Sequence, residues 1–173
     1  HGEPYITHPR IFIEAGEGSR SVIVKSYIGP AGGTYFTNAA ATVSLGAGAV
    51  LDLTKVQRES RNAFHVEHLE VRAARDANFT HHSISLGARF SRQDTDATLD
   101  GEGAEVSLLG LYEVAGTQHV DHHTMIDHAK PRTTSREIYK GILDGTSRAV
   151  FDGRVIVRPD AQKISAVQTN KNL

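Results

Sequence analysis

Short runs of alternating apolar and polar residues recur along the whole chain, and each run stops at a small polar corner. Ser21 to Ile28 follows the turn-type stretch Gly16-Glu17-Gly18-Ser19-Arg20. Thr34 to Asn38 follows the break at Gly29-Pro30-Ala31-Gly32-Gly33, and Gly46-Ala47-Gly48-Ala49 separates the apolar pairs of Val43 to Leu53. Nearer the start, Tyr5-Ile6 and Ile11-Phe12-Ile13 are interrupted by Pro4 and Pro9. Period-2 runs bounded by glycine and proline predict β-strands.

The corners themselves repeat. Those beginning at Gly16, Gly46, Arg75 and Gly101 each precede an apolar pair, at steps of about 26 to 30 residues, a spacing typical of solenoids. Each step fits a coil of two or three short strands with turns at fixed places. Two stretches also suit helices. Residues 63–77, AFHVEHLEVRAARDA, hold good helix formers but no clean apolar stripe. Thr134-Ser135-Arg136-Glu137 matches a capping box, with Ile138 and Ile142 one turn apart. Tyr139, Gly141 and Leu143 alternate as a strand in the same segment, so periodicity alone leaves it open. Farther on, Arg148 to Arg158 reads as two short strands broken at Asp152-Gly153, a pair suited to a hairpin turn or a bend into the next wall. Arg158-Pro159-Asp160-Ala161 reads as a corner, because proline offers no N–H to a ladder.

The densest chemistry lies in HVDHHTMIDH, residues 119–128. On a strand, side chains alternate between two faces. Val120, His122, Thr124, Ile126 and His128 form the more apolar set and are expected to point inward. His119, Asp121, His123, Met125 and Asp127 form a polar wall. Imidazoles and carboxylates suit zinc, iron or copper, and His119, Asp121, His123 and Asp127 are the candidate ligands. The plainer reading makes His122 and His128 hydrogen-bonded core residues and the rest a solvated wall; His81-His82 and His65/His68 take the same reading. As a glycosidase pair, Asp121 and Asp127 fail. Six residues of strand set them about 20 Å apart, where such pairs need about 5–9.5 Å.

Composition narrows the class. The chain has 173 residues, 23% charged and 39% apolar, about one ordinary domain. With 19 basic and 20 acidic residues the net charge is −1, which gives no electrostatic footprint for nucleic acid. No apolar run approaches the ~20 residues needed to span a bilayer. The absence of cysteine excludes disulfides, a thiol nucleophile and the usual four-thiolate iron–sulfur ligation within this chain. Walker, dinucleotide-binding and GxSxG signatures are missing too.

TSREIYKGILDGTSRAVFDGRVIVRPDAQKISAVQTNKNL (Thr134 to Leu173), preceded by DHHTMIDHAKP (Asp121 to Pro131), resembles the SufBD family of iron–sulfur cluster assembly scaffolds, in particular its SufD-like members. Phe79-Thr80-His81-His82, Ser85 to Arg89 and Gly101 to Glu105 extend the likeness over nearly the whole chain. The resemblance implies an all-β, right-handed parallel β-helix (a solenoid). It implies a SufB-like partner and a SufC-like ABC ATPase docked through a C-terminal helical region. It further implies an iron–sulfur cluster at the interface with the SufB-like subunit. The family's functional histidine falls beyond Leu173, so no residue here inherits it.

The expectation is therefore a SufBD-type core over residues 1–173, truncated at both ends, that acts as a cytoplasmic scaffold and not as an enzyme. No catalytic or cofactor-binding residue is assigned, and neither nucleic acid nor membrane is a partner. A strand edge at the end of the coil is expected to pair with the SufB-like core or with a second copy. Two rivals come from other classes: a stand-alone metal-dependent enzyme using the His119–His128 cluster, and a carbohydrate-active β-solenoid.

Overall fold

The computed structural model describes residues 3–173, so His1 and Gly2 of the expected core lie outside the described residues. Every regular element among them is a strand. One sheet holds β1 (Tyr5–Thr7), β2 (Arg10–Ala15), β4 (Tyr35–Leu45), β6 (Phe64–Ala73), β8 (Phe90–Leu99), β10 (His119–His128) and β12 (Arg148–Val157). The other holds β3 (Arg20–Tyr27), β5 (Val50–Gln57), β7 (Asn78–Ser85), β9 (Glu105–Val114), β11 (Thr134–Leu143) and β13 (Ser165–Asn172). The chain alternates between the two sheets, so each coil lays one rung on each wall and all pairing is parallel. On the first wall the register climbs from Phe36 through Phe64, Phe90 and His119 to Arg148. This is the coil that the repeating corners predict.

The corners explain the regularity. After β2, β4, β6, β8 and β10 the chain turns through a left-handed residue: Gly18, Gly48, Asp76, Gly103 and Arg132 have φ of 65°, 65°, 56°, 73° and 58°. These residues stack, and amide N–H groups donate to the next coil: Gly48 to Arg75 O at 2.8 Å, Asp76 to Glu102 O at 3.0 Å, Arg132 to Gln162 O at 2.9 Å. Glycine adopts positive φ without a Cβ clash. At Gly101 the stacking is so close that a Cβ would overlap the Arg75 backbone nitrogen.

The two segments left open by periodicity are strands. Residues 64–73 form β6, with His65, Glu67, Leu69, Val71 and Ala73 buried. Thr134–Leu143 is β11, with Ser135, Glu137 and Tyr139 turned into the lumen. Parallel pairing on both sides outweighs helical propensity here, as tertiary context commonly does. One expectation is corrected. Asp152-Gly153 breaks nothing: β12 runs straight through it, paired residue by residue with β10. Gly153 sits opposite Thr124 at an inward position, where a Cβ would strike the Gln168 amide and approach Glu137 Oε2 to 3.0 Å. The glycine answers a crowded lumen, not a turn. The corner at Arg158–Ala161 is present, closed by Ala161 N–H donating to Arg158 O at 2.9 Å.

The lumen has two unlike halves. Beneath the corner column lie Val43, Leu45, Leu51, Leu53, Leu69, Val71, Phe79 and Leu108, all nearly inaccessible. The other half, where first-wall strands begin and second-wall strands end, is lined by polar and charged side chains.

Candidate functional site

The predicted faces of β10 are observed. Val120, His122, Thr124, Ile126 and His128 point into the lumen and are buried. His128 satisfies both ring nitrogens, Nδ1 with Thr133 Oγ1 at 2.7 Å and Nε2 with Ser135 Oγ at 2.9 Å. His122 departs from expectation. Neither of its nitrogens has a hydrogen-bond partner, and its ring packs 5.1 Å from Tyr139 and 5.5 Å from Tyr112. It behaves as an aromatic in a stack, and burial holds its pKa down at about 3.

The polar wall is less solvated than the plainer reading supposes. Asp121 and Asp127 are each only 8% exposed. Arg92 Nη1 donates to Asp121 Oδ2 at 3.1 Å, and Arg158 Nε donates to Asp127 at 3.1 Å. Arg158 meets Asp127 with a fork of two nitrogens, whereas Arg92 gives Asp121 one nitrogen and turns its fork to Asp94. His123 Nε2 lies 2.7 Å from Asp121 Oδ1, while His119 tilts against Phe90 at 5.5 Å. The structure thus brings Asp121 and His123 together and leaves His119 and Asp127 in separate company. Among the described residues, no three His, Asp or Glu side chains converge as a metal-holding group.

The polar half of the lumen is where the unforeseen chemistry sits. Lys25 on β3 and Lys55 on β5 are register partners on adjacent rungs, and both ammonium groups meet the carboxylate of Glu67 on β6. Lys55 Nζ stands 2.9 Å from Glu67 Oε2 and donates to Gln93 Oε1 at 3.1 Å. Beside them, His65 Nδ1 lies 2.7 Å from Glu59 Oε2, and Glu59 accepts from Thr37 at 2.6 Å and from Gln57 at 3.0 Å. Burial would push the Glu67 carboxyl up, but Lys55, His65 and Lys25 outweigh it and hold it well below the usual range. Burial likewise pulls Lys25 down, against the pull of Glu67. Farther along, burial raises Glu137 and lowers His81, the latter to about 3. Alternation did carry the signal: Leu51, Leu53, Lys55 and Gln57 share one parity, as do His65, Glu67, Leu69 and Val71.

Such a cluster can neutralise buried charge and tie successive coils together. It presents no open nucleophile and no carboxylate pair flanking a cleft. Residues 2–173 match the model of the SUF system FeS cluster assembly SufBD core domain, a match that runs essentially from end to end. The chain belongs to the SufBD core-domain family. An iron-sulfur cluster assembly SufBD family protein of Synechocystis is 28% identical over 98% of the chain and 39% of its own length. The iron-sulfur cluster assembly protein SufD of Escherichia coli is 29% identical over 96% of the chain and 39% of its length. A chloroplastic protein of Arabidopsis thaliana, ABCI7, is 29% identical over 97% and 36%. The chain thus spans about two fifths of the length of these relatives. Within this SufBD solenoid, no helix among the described residues is long and apolar enough to cross a membrane.

Proposed function

We propose that this solenoid is the core of a SUF scaffold subunit, SufD-like in kind, that pairs with a SufB-like subunit. Its work is coupled to a SufC-like ABC ATPase. The iron–sulfur cluster is the cargo of that assembly, handled at the interface between the two scaffold subunits. The chain contributes no catalytic residue of its own; its residues supply a stiff, pre-paired wall. His119, Asp121, His123 and Asp127 serve on that wall as structural partners of Phe90, Arg92 and Arg158.

The observation that carries this reading is the end-to-end match to the SufBD core domain, on a fold whose two walls are parallel ladders throughout. Light scattering of the chain mixed with a SufB-like subunit, without ATPase, tests the proposal. A one-to-one complex is expected. A chain that ignores the SufB-like subunit and pairs only with itself would overturn the scaffold pairing.

A further inference from the structure

On the first wall, Arg72, Arg92 and Arg158 hold carboxylate partners, Asp100, Asp94 with Asp121, and Asp127, while among the described residues Arg10, Arg148 and Arg154 hold none. On the second wall, the outward ladder Val56–Ile84–Leu111 runs directly into Lys140 and Lys171. The neighbouring ladder passes through Leu109 and Ile138. Leu111 is 41% exposed and Ile142 47% exposed. Shallow depressions lie along this strip, one between Ile84, Leu109, Leu111 and Ile138, another between Leu111, Ile142 and Leu173. Lys140 and Lys171 are direct cross-strand neighbours, and among the described residues neither has a carboxylate within ion-pair distance; Arg136 has none either. Like charges side by side on adjacent strands repel, a cost that an anionic partner relieves.

We propose that the outer face of the second wall docks an amphipathic helix of a partner protein, laid along the solenoid axis with carboxylates at the end over Lys140 and Lys171. Four rung steps from β5 to β13, at about 4.8 Å each, span roughly 19 Å, which is the length of about 13 helical residues. A stripe at i, i+3, i+4 and i+7 matches the apolar ladder, as in other helix-in-groove contacts. A helix fits better than an anionic membrane because Glu113 faces outward on the adjoining ladder and Asp52 on the ladder beyond Leu109 and Ile138. A broad anionic plane would meet them; a helix about 10 Å wide lies between them.

The test uses the 173-residue chain and a labelled synthetic 18-residue helix with leucines in that stripe and three glutamates at one end. Anisotropy reads its binding beside a lysine-for-glutamate peptide, a scrambled peptide and vesicles containing anionic phosphatidylglycerol. The glutamate helix is expected to bind at least about tenfold tighter than the other two peptides, from two ion pairs and an ordered apolar stripe. K140E/K171E should reverse the preference between glutamate and lysine helices, and L111T should weaken both with the strand content intact. Equal binding of all peptides, or vesicle binding with no peptide binding, would overturn the proposal. So would a glutamate helix that does not notice K140E/K171E while circular dichroism shows the variant folded.

Discussion

His122 and His123 are neighbours in sequence and opposites in environment. His122 is fully enclosed without a hydrogen-bond partner, whereas His123 is about a third exposed beside Asp121. A lysine at 122 must bring a charge into an aromatic stack, so His122→Lys should destabilise by about 2–4 kcal/mol. His123→Lys should stay within roughly ±0.5 kcal/mol, as at ordinary surface positions. Urea midpoints rank the pair, and the opposite order would mean that the faces of β10 are exchanged. Acid should act through the same buried imidazoles. His81 and His122 have folded pKa values of about 3, against 6.5 when free. Below pH 6.5 the unfolded chain gains protons that the folded chain refuses, so stability falls as pH drops from 6.5 toward 3. Each histidine contributes up to about 1.4 kcal/mol per pH unit over that window. Glu67, held low, adds loss of the same sign below about pH 4.5, while Glu137, held high, opposes it. Denaturant midpoints between pH 7 and 5 should decline, and His122→Phe should remove about one proton's worth of the slope.

At the scale of the element, the corners and the alternation were the legible part. Gly16, Gly46, Arg75 and Gly101 mark successive turns of one column, and the inward parity of β10 is as the sequence implies. Two things stayed hidden for physical reasons. The reading of Asp152-Gly153 as a break fails because glycine relieves crowding as readily as it makes turns, and only the packing of Gln168 against β12 tells which. The lumenal lysines escaped because a lone charge amid β-branched residues resembles an edge or a surface slip; its counter-charge, Glu67, comes from the opposite wall. Corner stacking also yields a paired test. Gly101→Ala drives a methyl into the Arg75 backbone and should cost about 1–3 kcal/mol or more. At Gly16 nothing lies within 4 Å of a new Cβ, so Gly16→Ala should be neutral or gain about 0.4–1 kcal/mol by stiffening the unfolded chain. Equal losses at the two positions, read by thermal unfolding, would refute the close stacking of the column.

At the scale of the whole molecule, a solenoid has nearest-neighbour contacts only, so its stability is a sum over coils and interfaces. The Lys25–Lys55–Glu67 cluster draws on three successive coils, through β3, β5 and β6, and so couples the N-terminal coils specifically. Removing one member of a buried charge set leaves the others desolvated and unpaired, at a cost of about 3–5 kcal/mol. Glu67→Gln should therefore open these coils while β10 to β13, which make no hydrogen bond or ion pair with the cluster, remain closed. Hydrogen exchange resolves the difference: amides of β3 to β6 should lose most of their protection, and those of β9 to β11 should keep theirs. Replacing all three residues together by apolar ones of similar size should restore the lost protection, since a buried ion set is often no more stable than well-packed apolar groups. Uniform loss of protection along the chain in Glu67→Gln would show instead that the six-rung walls unfold as one cooperative unit, and that the charge cluster supports the entire scaffold rather than its first coils.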